Sequence, residues 1–132
     1  MILIDSNVLL DLYDEESEWH EWSASALASA ADDAELVINP IVYAEASIRF
    51  KTPAQFDLAF PPDDFLRRAL PFAAAFLAGK AHLEYRRRGG TRTATLPDFF
   101  IGGHAAVSGF EILTRDARRF RRYFPDVELI AP

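Results

Sequence analysis

The chain has 132 residues, half of them hydrophobic, with no cysteine and a formal net charge of −6. This length fits one compact domain, assigned to residues 1–132, and a domain of this size buries enough surface to need no disulfide or structural zinc. The N-terminus lacks the pattern of an export signal, and the longest apolar run is far shorter than the roughly 20 residues that span a bilayer. We therefore expect a cytoplasmic protein with no membrane association.

Short apolar runs ended by polar residues alternate with longer, helix-like stretches along the chain. Asn39 followed by Pro40 is a strong helix start signal, and Gly89 with Gly90 ends the longest helix. Residues 52–70, which contain three prolines, leave open a helix and a short strand near Phe65. In chain order the predicted elements are strand Ile2–Ile4, helix 19–31, strand Leu36–Ile38, helix 40–50, helix 71–87, helix Leu96–Ser108, strand 112–113, helix 117–123 and strand 127–130.

This alternation predicts an α/β fold with three layers, in which a mostly parallel sheet of four to five strands has helices on both faces. In such sheets, ligands bind outside the carboxyl ends of the strands. Chemistry is therefore expected from polar residues that follow the strands.

Asp5 directly follows the first strand, in the position where a ligand would bind. It also fits a helix N-cap or a turn, although Ser6 or Asn7 could cap equally well. The Asn7 side chain could also orient a neighbouring carboxylate by hydrogen bonding.

Glu45 shares one face of its predicted helix with Ile41 and Ile48. A carboxylate facing the core must be paired or metal-bound, because burying it alone costs several kcal/mol. The alternative is a Glu at the edge of the apolar stripe that pairs with Arg49, four residues later.

Asp98 and Asp116 have structural alternatives as well. Thr95 and Asp98 form a capping-box pattern, and Asp116 could be the N-cap of the last helix. The pair Gly102 and Gly103, within the helix that Asp98 opens, predicts close backbone packing against the sheet.

Together, the four acids lie near strand exits or helix starts, which converge in such a fold. Carboxylates within ~4 Å of each other repel by around 4 kcal/mol per pair at an effective dielectric of 20, so a cation is needed. Oxygen ligands select Mg²⁺ or Mn²⁺. The histidines at 20, 82 and 104 are widely separated, and His104 is assigned to packing or surface rather than to a metal.

Charge is divided unevenly along the chain: residues 1–64 carry a net charge of −12 and residues 65–132 a net charge of +6. Clustered arginines are typical of phosphate-binding surfaces. The alternative is a solvated helix face. The candidate RNA-binding residues are Arg86, Arg87, Arg88, Arg92, Arg115 and Arg118.

The motifs Ile4-Asp-Ser-Asn-Val-Leu-Leu10, Ala44-Glu45, Leu96-Pro-Asp98 and Leu113-Thr-Arg-Asp-Ala-Arg-Arg-Phe120 resemble those of PIN domains, specifically the VapC toxins of prokaryotic toxin–antitoxin pairs. The resemblance covers the whole chain and makes 1–132 a single PIN domain. It implies an Mg²⁺- or Mn²⁺-dependent endoribonuclease that hydrolyses RNA with metal-activated water. The implied site is Asp5, Glu45, Asp98 and Asp116 as ligands, with Asn7 and Thr114 as polar helpers.

The same resemblance implies partners: an RNA substrate, a VapB-like antitoxin over the active-site groove, and a homodimer or a hetero-oligomer with that antitoxin. Two other readings stay open. A haloacid-dehalogenase-like phosphohydrolase also places an Asp after its first strand, but that family requires a second Asp at the position where this chain has Asn7. A catalytically inactive, acid-lined module could instead bind a basic partner.

Overall fold

The computed structural model describes residues 1–91 and 95–132. It confirms an α/β fold in which short strands alternate with helices. In chain order the elements are β1 (Ile2–Ile4), α1 (Ser6–Tyr13), α2 (His20–Asp33), β2 (Leu36–Ile38), α3 (Pro40–Ser47), α4 (Pro53–Ala59), β3 (Phe65–Arg67), α5 (Phe72–Arg87), α6 (Leu96–Ser108), β4 (Glu111–Leu113), α7 (Arg118–Tyr123) and β5 (Leu129–Ile130).

The five strands form one parallel sheet in the order β3-β2-β1-β4-β5. Strand β1 lies in the centre, where Ile2 pairs with Leu36 on one side and with Glu111 on the other. Leu3 and Ile4 are completely buried, because a strand covered on both faces is apolar along its whole length. The hydrophobic core therefore continues through the sheet from one face to the other.

The helices pack in two groups: α1 packs against α2 and α3, and α6 packs against α5 and α7, while α3 also contacts α6. Right-handed crossovers between parallel strands place the two groups on opposite faces of the sheet, because the chain runs from β1 to β3 in one direction and from β4 to β5 in the other. The direction reverses between β1 and β4, the position at which such sheets bind ligands.

Most predicted elements are present with small shifts at their ends. Asn39 caps α3 as predicted, since its side chain accepts a hydrogen bond from the Val42 amide at 2.9 Å. The predicted helix 40–50 ends early, at Ser47, and the predicted strand 127–130 is reduced to Leu129–Ile130. The open region 52–70 contains both a helix, α4, and a strand, β3, at Phe65.

Glycines in α6 allow close packing, but the partner differs from the one predicted. A Cβ atom on Gly103 would lie 2.5 Å from the carbonyl oxygen of Ala74 in α5, and one on Gly102 would lie 2.3 Å from the Phe124 ring. These glycines thus accommodate a neighbouring helix and an aromatic ring rather than the sheet. Across residues 1–91 and 95–132, no helix is both long and apolar enough to cross a bilayer.

Candidate active site

The candidate site lies at the carboxyl ends of β1 and β4, where the strand order reverses. Asp5 directly follows β1, and its amide donates to the carbonyl of Leu113 at the end of β4 at 2.9 Å. Asp5, Asn7, Asp98 and Asp116 line one pocket of about 320 Å³, together with Arg118 and Arg119. Residues more than 90 positions apart in the sequence therefore face the same cavity.

Asp5 is 4% exposed, although it carries a carboxyl group. Its Oδ2 atom accepts a hydrogen bond from the Thr114 hydroxyl at 2.8 Å. Burial raises the pKa of Asp5 to about 7, and the negative charges of Asp98 and Glu45 add to this rise, while the Thr114 hydrogen bond opposes it. An acid with this environment needs positive charge nearby to remain ionised at neutral pH.

Glu45 reaches the same site from α3 through a serine. The Ser6 hydroxyl lies 3.0 Å from Oε1 of Glu45 and 3.5 Å from Oδ1 of Asp5. Burial raises the pKa of Glu45, and the charge of Asp98 adds to the rise. The predicted apolar stripe was wrong at Ile48, which is 79% exposed. Glu45 is thus placed by its contact with Ser6, and its carboxylate accepts a hydrogen bond from Ser6 rather than pairing with Arg49.

Asp98, in the first turn of α6, points toward the last helix. Its Oδ2 accepts from the Arg119 guanidinium at 2.8 Å. Burial raises the pKa of Asp98, while the Arg119 hydrogen bond opposes the rise. Thr95 is the N-cap residue of α6, as the capping-box pattern predicts, but its side chain makes no capping hydrogen bond. Its backbone already has helical angles, φ −86° and ψ −19°, whereas an N-cap residue that caps with its side chain is typically extended.

Asp116 is the most exposed of the four acids, with 43% of its side chain accessible. Its two carboxylate oxygens accept from Nε and Nη2 of Arg118 at 2.9 and 2.8 Å. These hydrogen bonds hold the pKa of Asp116 below its usual range. The N-cap position of α7 belongs to Ala117, one residue later than predicted, although Oδ1 of Asp116 still accepts from the Arg118 amide at 3.4 Å.

The two polar helpers connect these carboxylates. Thr114, fully buried, donates to Asp5 and accepts from the Asp116 amide at 3.1 Å. The Asn7 side-chain amide donates to the Thr114 hydroxyl at 3.4 Å, and its oxygen accepts from the Arg115 amide at 3.4 Å. The network fixes Asp5 through β4 and the loop after it.

The oxygen ligands of the site match a hard divalent cation chemically. In the part of the chain that the structure describes, however, no three acids or histidines stand together as a ready metal cage. Arg119 engages Asp98 and Arg118 engages Asp116, so two candidate ligands are paired with guanidinium groups. The raised pKa of Asp5 marks a buried carboxylate without enough positive charge. The donor set thus fits a cation, which would compete with Arg119 for the Asp98 carboxylate.

The predicted RNA-binding arginines do not form one surface. The Arg115 guanidinium donates to the buried carboxylate of Asp11 at 2.7 Å, which assigns Arg115 to holding α1 against the loop after β4. Arg88 and Arg118 line a separate groove near the acids. Arg86 and Arg87 are exposed at the end of α5, and Arg92 lies outside the described residues.

Two residues of the site, Ser6 and Arg119, do not stand out in the sequence, where Ser6 fits a helix cap and Arg119 is one arginine of a basic cluster. Beside the site, the structural acid Asp11 is not indicated by any motif. Asp11 is 3% exposed, and a signal for it is its position in the apolar helix that follows Asp5. His104 was predicted to lie in the packing or at the surface, and it is packed inside the protein. Its Nδ1 atom lies 3.1 Å from the side-chain nitrogen of Asn39.

Comparison with known proteins gives one sequence family and several similar folds. Residues 2–124 match the model of the PIN domain family. No curated protein sequence is significantly similar to the chain.

Among solved structures, VapBC2 of Rickettsia felis, bound to a promoter DNA fragment, is similar with a TM-score of 0.73 at 18% identity. The match covers 100% of this chain and 99% of the Rickettsia felis chain. FitAcB of Neisseria gonorrhoeae has a TM-score of 0.72 at 19% identity, and the match covers 98% of this chain and 96% of the FitAcB chain. A toxin–antitoxin complex of Klebsiella pneumoniae has a TM-score of 0.66 at 20% identity, and the match covers 91% of this chain and 90% of the matched chain. At these identities the likeness concerns the fold, whereas the family match extends over nearly the whole sequence, and the chain belongs to the PIN domain family.

Proposed function

We propose that the chain is a Mg²⁺- or Mn²⁺-dependent endoribonuclease that acts as the toxin of a toxin–antitoxin pair. The observation that carries this proposal is the convergence of Asp5, Glu45 and Asp98 at one edge of the sheet, where the charges of Asp98 and Glu45 raise the pKa of Asp5 and the charge of Asp98 raises the pKa of Glu45. Family membership supports nuclease chemistry, and a metal-binding role explains why a fold keeps buried carboxylates side by side.

Asp5, Glu45, Asp98 and Asp116 would hold a divalent cation, which lowers the pKa of a water molecule and offsets charge on a phosphodiester. Thr114 keeps Asp5 in one orientation by hydrogen bonding to Oδ2. Ser6 does the same for Glu45. The half-buried Glu45 carboxylate, with its pKa raised, is suited to accept a proton from the attacking water.

Arg118 and Arg119 face the same pocket as the acids. A phosphate entering this pocket brings negative charge, and guanidinium groups bind phosphate oxygens through paired hydrogen bonds. We assign these two arginines to the substrate phosphate rather than to the fold, because their pairs with Asp98 and Asp116 lie at the partly exposed wall of the pocket. RNA cleavage then leaves charge on the departing oxygen, which cations and arginines stabilise.

The proposed partner is a VapB-like antitoxin that covers the acid pocket and blocks access for RNA. The similar folds were solved as VapBC, FitAcB and toxin–antitoxin complexes, which supports a bound antitoxin and a hetero-oligomer or homodimer. A bacterial or archaeal cytoplasm is the corresponding location.

The direct test incubates the purified chain with a mixed RNA pool in the presence of Mg²⁺ or Mn²⁺. We expect cleavage that EDTA abolishes, and loss of cleavage to background in Asp5→Asn and in Asp98→Asn. Asp126→Asn serves as the control, because Asp126 is an exposed acid outside the site, and it should cleave like the unmodified chain.

Two results would contradict the proposal. Cleavage that survives EDTA removes the metal from the mechanism. No cleavage of any RNA under conditions in which the chain is folded favours the acid-lined binding module. The phosphohydrolase reading is already weakened, since the chain belongs to a different family and Asn7, at the required second Asp, hydrogen-bonds Thr114.

A further inference from the structure

A buried hydrogen bond joins the two helices that carry Glu45 and Asp98. Asn39 lies at the joint between β2 and α3, His104 lies in the second half of α6, and both residues are buried. The side-chain nitrogen of Asn39 is 3.1 Å from Nδ1 of His104. Helices α3 and α6 also contact each other, so this hydrogen bond connects two helices that are already packed together.

The second hydrogen bond of the Asn39 side chain fixes the direction of the first. Its oxygen accepts from the Val42 amide at 2.9 Å and so caps α3, which leaves the nitrogen to face His104. An amide nitrogen only donates, so Nδ1 of His104 is the acceptor, and the ring is neutral with its proton on Nε2. Burial lowers the pKa of His104, which agrees with a neutral ring.

Both partners of this hydrogen bond are held by their surroundings. Asn39 directly follows β2, which pairs with a strand on each side. The His104 ring packs against Phe110, with the ring centroids 5.4 Å apart, and the adjacent Gly103 lies against the backbone of α5. A change in the contact between Asn39 and His104 therefore acts on the two helices rather than on a loose side chain.

The contact and the two acids are equally spaced along the helices. Glu45 lies six residues after Asn39, and Asp98 lies six residues before His104. At about 1.5 Å per residue, each acid is roughly 9 Å from the contact along its helix axis. The charge of Asp98 raises the pKa of Glu45, so the two carboxylates also lie near each other. Helices α3 and α6 thus run past each other in opposite directions, with the buried contact at one point and the acids at the other.

We infer that the hydrogen bond between Asn39 and His104 is a positioning contact, which sets the separation of α3 and α6 at which Glu45 and Asp98 bind one cation. The inference rests on the proposed function and adds to it two residues that touch neither metal nor RNA. A displacement of about 1 Å that starts far from the chemistry can cost about 100-fold in rate. A metal site built on two helices is therefore sensitive to the contact that holds the helices in register.

The alternative is a role in folding alone, in which Asn39 caps α3 and His104 fills the core. Such a role lowers the stability of a variant but leaves metal affinity unchanged in the molecules that are folded. A positioning role changes the metal affinity of the folded protein. Metal affinity therefore separates the two roles when each variant is measured well below its unfolding transition.

The test is calorimetric titration of Mn²⁺ into the full chain after its metal has been removed, at a temperature where every variant is folded. His104→Leu removes the acceptor, whereas Asn39→Ser keeps an oxygen that can cap α3 and removes the amide donor. Each change should weaken Mn²⁺ binding roughly tenfold, the lower end of the range for residues behind metal ligands. The double variant should bind no more weakly than either single variant, because both changes break the same contact.

His104→Asn tests rescue, because it places an acceptor oxygen at the δ1 position while removing the ring. This variant should bind Mn²⁺ like the unmodified chain even if it is less stable. At saturating Mn²⁺, His104→Leu should lower kcat for RNA by more than it changes KM, because the displaced groups are the acids and not the arginines that face the phosphates.

Thr52→Ala is the matched control for loss of a helix cap. Thr52 caps α4 by accepting from the Gln55 amide at 3.2 Å, and it does not line the pocket that holds the acids. This change should lower the melting temperature and leave Mn²⁺ affinity unchanged.

The outcomes separate this inference from the proposed function. Unchanged Mn²⁺ affinity in His104→Leu and Asn39→Ser, or an equal loss in Thr52→Ala, overturns the positioning role and leaves the contact to the fold. If the unmodified chain binds Mn²⁺ but cleaves no RNA, the nuclease proposal fails, whereas weak binding in His104→Leu with recovery in His104→Asn still supports the positioning contact. A chain that binds no Mn²⁺ overturns both.

Discussion

At the scale of single residues, the negative charge of Asp5 suits the proposed metal site but destabilises the fold. Ionising a carboxylate that is 4% exposed has a desolvation cost, and the neighbouring charges of Glu45 and Asp98 repel it. Thr114 offsets only part of that cost through one hydrogen bond. The metal-free fold therefore tolerates Asp5 best when the group carries a proton.

We predict that the stability of the metal-free protein decreases as the pH rises from about 4 to about 7. Over this range the folded protein keeps a proton on Asp5, whose pKa is about 7, while the unfolded chain, with the ordinary value of 3.8, has lost it. The free energy of unfolding then falls by about 1.4 kcal/mol per pH unit from this group. Glu45 and Asp98 shift in the same direction.

Denaturant unfolding in EDTA at about pH 5 and about pH 8 measures this decrease. At the higher pH, the Asp5→Asn variant should unfold at a higher denaturant concentration than the unmodified chain. Its free energy of unfolding should also differ less between the two pH values. An Asp5→Asn protein that is less stable at the higher pH would instead show that Asp5 contributes to folding.

Asp11 provides the opposite case, because its charge is compensated. It is as buried as Asp5, but it accepts from the hydroxyls of Ser17 and Ser23 at 3.0 Å each and from Arg115 at 2.7 Å. Asp11→Asn should destabilise the protein by about 1.5–3 kcal/mol, the range for losing hydrogen bonds to a charged group, because its partner Arg115 is partly exposed and can be solvated instead. Measured alongside Asp5→Asn, an equal effect of both changes would contradict the distinction between a functional and a structural acid.

Residue types and their positions after strands indicated the four acids, but the hydrogen bonds between them could not be predicted. Ser6, for example, reaches Glu45, which is 39 positions away, and no local pattern encodes that distance. Arg115 was placed with the RNA-binding arginines because it stands in a basic run. Its role in the fold depends on Asp11, at a separation of 104 residues.

At the scale of elements, the contact between α5 and α6 limits which residues each helix accepts. Helix α5 presents the buried alanines Ala74, Ala78 and Ala81, and Gly103 in α6 lies against the Ala74 carbonyl. The two backbones approach closely at this point because a glycine of α6 faces an alanine of α5 there.

We predict that Gly103→Ala destabilises the protein by about 1–3 kcal/mol, since the new methyl group meets backbone that cannot rotate away. The comparison is Gly79→Ala in α5, where a Cβ atom would meet nothing within 4 Å. That change should stabilise by about 0.5–1 kcal/mol through helix propensity. Thermal unfolding of both variants checks the pair, and a stabilising Gly103→Ala would refute the close contact.

Elements were predictable where the signal was local. Helix α6 begins and ends where its pattern predicts, at Leu96 and Ser108. Helix α1 was not assigned, because Asp5, Ser6 and Asn7 favour a turn as much as a cap. The sheet order β3-β2-β1-β4-β5 was not predictable either, since strand pairing depends on contacts between distant segments.

At the scale of the whole molecule, the acidic half of the chain and the basic half meet at the site. Asp5 and Glu45 come from residues 1–64, which carry a net charge of −12, whereas Arg118 and Arg119 come from the half with a net charge of +6. A cation bound where the halves meet would hold both halves of the sheet together.

We predict that Mn²⁺ raises the melting temperature of the EDTA-treated protein in a concentration-dependent way. A ligand at 100 times its dissociation constant stabilises the fold by about 2.7 kcal/mol. Asp98→Asn should reduce this gain, whereas the exposed Asp126→Asn should retain it. A thermal shift of the same size in Asp98→Asn would exclude Asp98 from the ligands.

The pairing of β1 with β4 has a further consequence, for the stage of synthesis at which the candidate site can form. Ile2 must pair with Glu111, so the central strand leaves the ribosome first but completes its neighbours only after nearly the whole chain has emerged. Such long-range contacts form late in folding. Thr114 and Asp116 arrive at the same stage as β4. Every shorter nascent chain therefore lacks part of the candidate site, which is complete only after β4 and the residues up to Asp116 have joined the fold.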